Sequence, residues 1–318
     1  MAVVGSGISG ATNVNIATVL TQEVSTYYER VFLARAEYEL VLKEGGQLRT
    51  HPDNEGHTVN FTRYVPLTII TTPLGEASNP VTCAISACTV SLTLSEYGLT
   101  VNTSRFLSLV SIDANMKEKI ELVGQNMGET LNRLVRANLQ ASGTAYYPNG
   151  HNITSIAAGD VLDACNIRMM VRTLELNKAR KYPDGMYIGK TEPYSKYKLL
   201  GDTVWVTAKE YSDVKDLYMG EMGELYQVRW ILNKDLASGI EATSTAASDV
   251  NRYYTYVHGS DSFGVYDLAK DKPRLYILPN VVDSNSPAGR ISIISWAGSY
   301  ASQVLNTDWV LSARFTDV

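Results

Sequence analysis

The sequence predicts an α+β fold, because helical and strand-like patterns occupy separate stretches of the chain and do not alternate. The helical signal is clearest over Ile112–Gly143, where apolar residues recur three or four positions apart. Strand-like signals fill Thr58–Ser95, as two halves of a ribbon, and return from Arg274 to Phe315. No sequence period of about 20 to 50 residues repeats, so a solenoid is disfavoured.

The composition is that of an ordinary folded protein. Its 318 residues can bury a substantial core and could form two domains. A net charge of −5, with Lys and Arg scattered, does not attract phosphate strongly, which disfavours sequence-specific nucleic-acid binding. The count of 20 tyrosines is unusual. It is typical of protein interfaces or of tyrosine-rich strands, and both interpretations stay open.

The sequence predicts no metal site, no cofactor and no membrane segment. Cys83, Cys88 and Cys165 lack the paired spacing of a disulfide framework or a zinc site, which fits synthesis in a reducing compartment. The four histidines have no ligand partner at metal-binding spacing, and we interpret each as a loop residue. No apolar run reaches the roughly 18 residues of a membrane span, and the first residues lack a signal-peptide pattern.

One motif suggests a different class of protein. Gly5, Gly7 and Gly10 match the glycine pattern of dinucleotide-binding folds, which would make the chain a flavin or nicotinamide oxidoreductase. That fold needs a preceding strand and a second strand that ends in an acidic residue about 20 positions later. The chain before Gly5 is too short for such a strand, and Val24–Val31 has a helical pattern. A flexible Gly/Ser arm is therefore the favoured interpretation.

No catalytic group emerges from the remaining motifs, so we predict that the chain is not an enzyme. It contains neither a nucleophile elbow nor a phosphate-binding loop. Glu221 and Glu224 lie three positions apart and could pair for acid–base chemistry or bind a cation. The glycines at positions 220 and 223 favour a structural turn instead.

The first predicted element is a helix over Gln22–Glu44, ended by Gly45-Gly46. The ribbon follows: Thr58–Val65 alternates as a strand, prolines make a long turn, and Val81–Ser95 returns. A two-stranded ribbon is marginal in water by itself, so we expect it to lie on another subunit. The apolar stripe of the first helix would consist of Val24, Tyr28, Val31, Ala34, Tyr38 and Val41.

A strand over Tyr97–Arg105 is predicted to lead into the long helix, which Ser111 or Asp113 could cap. Gly124 and Gly128 lower helix stability, so they are predicted to admit a close neighbour. The stripe predicted to face the core comprises Met116, Ile120, Val123, Met127, Leu131, Leu134 and Leu139.

Asp160 is predicted to cap a further helix that runs to about Lys181. Its inward residues would be Leu162, Cys165, Met169 and Leu176. Short strands are predicted at Met186–Ile188, Arg274–Leu278, Arg290–Trp296 and Trp309–Phe315.

The order of these segments resembles a known family. An arm, an extended ribbon, a long helix, a compact α/β region and closing strands are arranged as in tailed-phage major capsid proteins of the Hong Kong 97-type fold. From about Gln22 onward, several motifs are similar to the N4-like major capsid family. They are Gly56-His57-Thr58-Val59, Arg63-Tyr64, Thr72-Pro73-Leu74-Gly75-Glu76, Glu96-Tyr97-Gly98, Gly220-Glu221-Met222-Gly223-Glu224, Val228-Arg229 and Tyr254–Gly259.

This resemblance implies a division into segments and a set of contact residues. The ribbon would touch neighbouring subunits through Arg63, Tyr64, Pro73, Leu74 and Glu76. The implied segments are an N-terminal arm (1–46), an extended loop with its leading strand (47–100), a peripheral domain with a spine helix (101–155), an axial domain (156–270) and return strands of the peripheral domain (271–318).

The resemblance also implies self-assembly. Copies of the chain would form hexamers and pentamers of an icosahedral virion shell, made in the host cytoplasm, that encloses double-stranded DNA without sequence-specific binding. Portal, scaffolding or decoration proteins would be further partners. An encapsulin-like compartment shell has the same implied fold and a protein cargo, and the sequence does not separate the two.

Overall fold

The structure is a computed structural model of the chain. It describes residues 17–52, 56–65, 67–71, 73–74, 76, 79–80, 82–110, 116–157, 159–206, 223–234, 241–242, 251–268, 271–282 and 288–316. Helices and strands are both present in a mixed α+β arrangement, although they alternate from α3 to β8 and are not strictly segregated as predicted. The main helices are α1 (Ala17–Glu39), α2 (Arg105–Val110), α3 (Met116–Ser142), α4 (Ala164–Leu176) and α5 (Pro193–Leu200).

The strands build two sheets and a separate two-stranded ribbon. They are β1 (Gln47–His51), β2 (Thr58–Tyr64), β3 (Ala87–Thr93), β4 (Ser95–Ser104), β5 (Thr144–Tyr146), β6 (Tyr187–Thr191), β7 (Glu224–Leu225), β8 (Val228–Leu232), β9 (Glu241–Ala242), β10 (Asn251–His258), β11 (Phe263–Leu268), β12 (Arg274–Val281), β13 (Ile291–Val304) and β14 (Val310–Thr316).

The first sheet has five strands and is centred on β13. Strand β4 runs antiparallel to β13, with Ser104 opposite Ile291 and Ser95 opposite Tyr300. Strands β12 and β11 follow one another along the other side of β13, and β1 adds a parallel strand beside β11. Since β13 alone joins β4 to β11 and β12, this long strand holds the sheet together.

The second sheet has seven strands, in the order β5-β14-β10-β6-β8-β7 with β9 beside β10. It combines parallel pairs (β5 with β14, β6 with β8) and antiparallel pairs (β14 with β10, β10 with β6). Helices α4 and α5 contribute to its hydrophobic core. Strand β14 lies in this sheet although it follows β13 in the chain, so the proposed boundary at 270 does not coincide with a boundary between sheets.

The predicted long helix is confirmed as α3. It forms the spine of the larger hydrophobic core, which lies between α3, α1 and the five-stranded sheet. The helix ends at Ser142, and the N–H of the next residue, Gly143, donates to Leu139 O at 3.1 Å. Its buried stripe packs on the five-stranded sheet, and the Trp296 Nε1 donates to Asn126 Oδ1 at 3.1 Å. Burial of each large apolar side chain stabilises the fold by roughly 1.5–3 kcal/mol. The buried stripe includes Ile120, Val123, Met127, Leu131, Val135 and Leu139, while Met116 and Leu134 are partly buried.

The two glycines of α3 admit a close neighbour, as predicted, and the neighbour is α1. A Cβ atom at Gly124 would lie 2.7 Å from Phe32 O, and one at Gly128 would lie 2.6 Å from Ala36 O. Real Cβ atoms do not approach carbonyl oxygens so closely, so the two backbones can meet here only through glycine. Their cost to helix propensity is therefore offset by helix–helix packing.

The first helix is confirmed, but its predicted apolar stripe faces the core only in part. Tyr28 is partly buried against the core, as the stripe predicts. Within the part of α1 whose side chains are described, Phe32 and Ala36 are buried, whereas Ala34 and Tyr38 are exposed. The helix also ends at Glu39, so Val41 lies outside it. Gly124 and Gly128 of α3 explain the difference. They allow the backbone of α1 at Phe32 and Ala36 to pack directly on α3, so these residues face inward.

The prediction for α4 is also wrong in its cap and its face. Asp163, not Asp160, caps the helix by accepting from Asn166 N at 2.7 Å. Leu162 is buried, but it precedes the helix. The exposed positions include three of the residues predicted to face inward, which are Cys165, Met169 and Leu176. The buried stripe is instead Ile167, Met170, Val171 and Leu174.

Most predicted strands are confirmed, with shifted ends. The strand before the long helix is β4, although α2 follows it without a gap. The second ribbon strand, β3, begins at Ala87 and not at Val81. Strand β13 continues to Val304, beyond the predicted end at Trp296.

Several predictions concern parts of the chain outside the described residues. They are the Gly/Ser arm with Gly5, Gly7 and Gly10, the caps Ser111 and Asp113, and Glu221 of the glycine-rich turn. Among the helices of the described ranges, none combines the length and the apolar character needed to cross a bilayer.

Candidate functional site

The candidate site is the ribbon formed by β2 and β3. The two strands pair antiparallel, from Thr58 opposite Thr93 to Tyr64 opposite Ala87. One further backbone bond, from Val65 N to Ser86 O at 2.9 Å, closes the ladder. The described residues between 65 and 86, which we call the distal ribbon, form no further regular structure.

The base of the ribbon packs on its own subunit. Phe61 and Leu92 are buried against Tyr266 and Ala301 of the five-stranded sheet. The rings of Phe61 and Tyr266 meet edge to face with centroids 5.2 Å apart, and the guanidinium of Arg49 lies 5.1 Å from the Phe61 ring. This small cluster anchors the ribbon to β11 and β13 and so fixes its direction.

The distal ribbon differs from its base because every side chain described in it is exposed. Ile69 is 80% exposed, which is far more than a large apolar residue shows in a completed core. Contiguous exposed apolar surface of this kind marks an interaction site in a soluble protein. The exposed apolar residues of this region are Val65, Leu67, Ile69, Ile70, Leu74 and Ile85.

The five residues predicted to make intersubunit contacts all lie on or beyond the end of the paired strands. Arg63 lies opposite Cys88, and Tyr64 lies opposite Ala87. Pro73, Leu74 and Glu76 belong to the distal ribbon. All five are exposed, and their contact with another subunit stays a prediction.

Sequence reasoning missed the apolar residues that flank this group. Leu67, Ile69 and Ile70 lie in the stretch that was interpreted only as a long turn. Their signal was available, since a turn is rich in Gly, Pro, Asn and Asp and does not need a run of branched apolar side chains. Ile85 was assigned to a strand, but it precedes β3.

Among the described residues, no group of three or more His, Cys, Asp or Glu side chains is arranged so that it could hold a metal ion. A cleft of about 350 Å³ lies between α1, β1 and α3 and is lined mainly by apolar groups such as Leu33, Leu48 and Met127. Glu224 is exposed on β7.

All four histidines are predicted to lie in loops, but only two of them do. His51 ends β1 and His258 ends β10, so the prediction is wrong for both. His258 is fully buried. His57 and His151 lie outside helices and strands.

His151 belongs to a polar cluster around Asp160. Its Nδ1 lies 2.6 Å from Asp160 Oδ2, which also accepts from Ala157 N at 2.9 Å. Asn149 Nδ2 donates to Asp160 Oδ1 at 2.8 Å. Burial raises the pKa of Asp160, but these hydrogen bonds to its charged form outweigh burial and lower that pKa below its ordinary value. The cluster shapes the loop between α3 and α4 and is a structural group.

Comparison with known proteins finds likeness in structure and not in sequence. No family profile and no curated protein sequence matches the chain. Among solved structures, the capsid of Ralstonia phage GP4 matches with a TM-score of 0.68 at 14% identity, over 86% of this chain and 87% of the other. The capsid of cyanophage P-SCSP1u matches with a TM-score of 0.64 at 12% identity, over 86% and 87%.

The capsid of cyanophage Pam1 extends this likeness over more of the chain. It matches with a TM-score of 0.63 at 13% identity, over 90% of this chain and 93% of that one. The share covered is high on both sides, so the likeness concerns the whole architecture and not one motif. The chain therefore has a mixed α+β fold that also occurs in phage capsid proteins.

Proposed function

We propose that this chain is a major capsid protein that assembles into the icosahedral shell of a tailed phage around its double-stranded DNA. The observation that carries the proposal is the likeness of nearly the whole chain to the capsids of several phages. A fold alone does not fix a function. The ribbon supports the proposal independently, because its distal part exposes large apolar side chains that no described residue of this chain covers.

Assembly would use the ribbon as its main intersubunit contact. The base is tied to β11 and β13, so the distal ribbon is presented in a fixed direction. A neighbouring copy would cover Ile69 and Ile70, and removal of such surface from water contributes about 25 cal/mol per Å². The predicted contact residues would lie at the same place, with Arg63 and Glu76 as its charged members.

The finer features of the shell belong to the same proposal. The fold would be of the Hong Kong 97 type, within an N4-like subfamily, with α3 as the spine of a peripheral domain and the seven-stranded sheet in an axial domain. The partners would be further copies in hexamers and pentamers, together with portal and scaffolding or decoration proteins. The protein would be made in the host cytoplasm and would reside in the virion.

The proposal assigns no enzymatic role. No described residue favours the oxidoreductase alternative, and its glycines lie outside the described part of the chain. An encapsulin-like shell is distinguished by its contents. Nucleic acid that co-purifies with particles supports the phage shell, whereas a protein cargo without nucleic acid contradicts it.

Electron microscopy of the purified protein tests the proposal directly, and a deletion tests the ribbon. Removal of residues 66–80 should leave a folded subunit that forms no closed shells, as measured by circular dichroism, light scattering and negative-stain microscopy. The matched control is Leu176→Ser, which changes an apolar residue of α4 that is 70% exposed. Normal particles from the deletion variant would contradict the intersubunit role of the ribbon.

A further inference from the structure

The connection between α1 and β1, residues 40–46, is held by side chains from other parts of the chain. Lys190 of β6 donates from Nζ to Leu42 O and to Glu44 O, both at 2.6 Å. Asn132 of α3 accepts from Leu42 N at 2.9 Å. These bonds fix the backbone of the connection to the core of the subunit, and therefore fix how α1 joins it.

Lys190 is fully buried, and among the described residues it forms no ion pair with a carboxylate. Its amino group has the Phe263 ring 4.9 Å away as its third neighbour. The carboxylate of Glu44 is directed to Arg229, at 3.5 Å, and Arg229 also pairs with Asp184 at 3.3 Å. Burial lowers the pKa of Lys190 to about 7, and the negative charge of Glu44 acts in the opposite direction.

His258 of β10 lies beside the same connection and is also fully buried. Tyr182 Oη lies 2.6 Å from Gly45 O and 3.0 Å from His258 Nδ1. Gly259 O lies 3.1 Å from Tyr182 Oη and 3.4 Å from His258 Nδ1. Because the hydroxyl has carbonyl oxygens to donate to, we assign the ring hydrogen to Nδ1, which then donates to Tyr182 Oη. The other ring nitrogen, Nε2, has no hydrogen-bond partner among the described residues.

A proton on His258 Nε2 would make the imidazole ring positively charged. The new N–H would have no acceptor among the described residues, in a buried pocket that already holds Lys190. Burial lowers the pKa of His258 well below its ordinary value, and repulsion by Lys190 lowers it further. The other titratable groups near the pocket are Tyr182, Asp261, Glu44, Asp184 and Arg229. Among their described contacts, none brings a carboxylate within hydrogen-bond distance of Lys190 or His258.

We propose that residues 40–46 form an acid-operated latch, in which protonation of His258 beside Lys190 releases this connection and α1 while both sheets stay folded. The release is local because β6 and β10 are joined by their own backbone ladder, from Tyr256 opposite Lys190 to His258 opposite Ile188. The connection is held instead by side-chain bonds from Lys190, Asn132 and Tyr182 and by burial of Leu42. This inference concerns the single subunit and does not rest on shell assembly.

The direction of the pH effect follows from linkage. Both groups bind protons less readily in the latched state than in the open state, so the open state gains protons as the pH falls. The free energy of opening the latch is therefore largest at alkaline pH. The latch weakens first as Lys190 takes up its proton between its ordinary pKa of 10.5 and about 7, and again below the ordinary His value of about 6.5.

Hydrogen exchange on the full chain, followed peptide by peptide between about pH 8 and about pH 5, tests the latch. The wild-type and the variants are compared at the same pH, so the chemical rate cancels. In the wild-type protein, opening of 40–46 and of α1 should rise by up to about tenfold per pH unit below about 6.5, while β13 stays protected. In His258→Gln this acid-dependent rise should disappear.

A matched control uses another histidine. His151→Gln should leave the exchange at 40–46 as it is in the wild-type protein, because His151 contacts Asp160 and not the latch. Tyr182→Phe, which keeps the ring and removes the hydroxyl between Gly45 and His258, should raise opening of 40–46 by several-fold at every pH, and it serves if His258→Gln does not fold. An unchanged acid rise in His258→Gln, unchanged exchange at 40–46 in Tyr182→Phe, or equal acid exposure of β13 and 40–46 would overturn the latch.

Discussion

The buried stripe of α3 and the distal ribbon are both rich in isoleucine and leucine, yet they differ in what covers them. On α3, Ile120 and Leu131 are almost inaccessible, because β13 and α1 of the same chain pack on them. On the ribbon, Ile69 and Ile70 are largely exposed. Apolar residues in the first region stabilise the subunit, whereas those in the second would, under the proposed function, add stability when another copy binds.

Mutations on these two surfaces should therefore separate effects on folding from effects on assembly. A change on the α3 stripe should lower the free energy of unfolding and affect particles only as a consequence. A change on the distal ribbon should leave unfolding unaltered and act on particles directly.

Ile120→Asp should prevent soluble folding. An unpaired carboxylate at a fully buried position costs several kcal/mol, on the order of 3–5 kcal/mol or more, which is comparable to the stability of a domain. Soluble yield and the thermal unfolding midpoint measure the effect. The control is Leu122→Asp, two positions along the same helix but 65% exposed, which should fold normally. Wild-type melting of Ile120→Asp would show that α3 is not a spine.

Gly128→Ala should destabilise the subunit by about 1–3 kcal/mol, although alanine is the better helix former. The added Cβ would lie 2.6 Å from Ala36 O, so α1 must move away from α3. Urea unfolding monitored by circular dichroism measures the change. At Gly201 the nearest atom to an added Cβ is 3.5 Å away, so Gly201→Ala is the matched control and should be close to neutral. A stabilised Gly128→Ala variant would contradict the close crossing.

Asp160→Asn should lower stability at neutral pH by about 1–2 kcal/mol. All three groups around the carboxylate are donors, from Asn149, His151 and Ala157, so an amide NH₂ would face a donor. The pKa of Asp160 is lowered in the folded state, so its contribution is present above the ordinary value of 3.8 and is lost as the pH falls through the folded value.

Unfolding in urea at about pH 7 and about pH 3 measures this difference. The gap between the wild-type protein and Asp160→Asn should narrow in acid, while Glu224→Gln, on the exposed residue of β7, should show a small effect at both pH values. A constant gap would mean that the ionised carboxylate is not what orders the loop between α3 and α4.

Ile69→Asp should change the free energy of unfolding by no more than about 0.5 kcal/mol, because the residue has no described apolar partner to lose. The same variant should reduce closed particles strongly, as counted by microscopy. Urea unfolding and particle counts on one preparation give both numbers. Destabilisation by several kcal/mol would mean that the ribbon is covered within its own subunit, and the contrast with α3 would be lost.

How far the sequence predicts this fold depends on the contrast between the faces of each element. Helix α3 was predictable because its apolar stripe is opposed by a strongly charged face. Helix α4 has two adjacent apolar stripes, and the stripe with Cys165 and Met169 is the exposed one. The sequence marks it only by the two arginines beside it, Arg168 and Arg172. On α1, the inward face is chosen by the glycines of α3, about 90 residues away, which no local pattern reports.

The candidate site was predictable in position and less so in composition. The proline-rich stretch without a helix predicts the ribbon. The turn residues in the same stretch favour a simple turn, so the apolar surface of Leu67, Ile69 and Ile70 is not predicted. The group around Lys190 and His258 was not predictable at all. A lysine and a histidine in separate strands become neighbours only when β6 pairs with β10 and the connection after α1 passes beside them.

Strands β13 and β14 have a consequence for the order in which the chain folds. They are made late in translation, yet β13 joins the parts of the five-stranded sheet and β14 lies between β5 and β10 in the other. While the ribosome is still producing the middle of the chain, the apolar stripe of α3 has no β13 to pack on. Pairing over about 200 residues of sequence is slow, so a nascent subunit passes through a period in which chaperones can bind it.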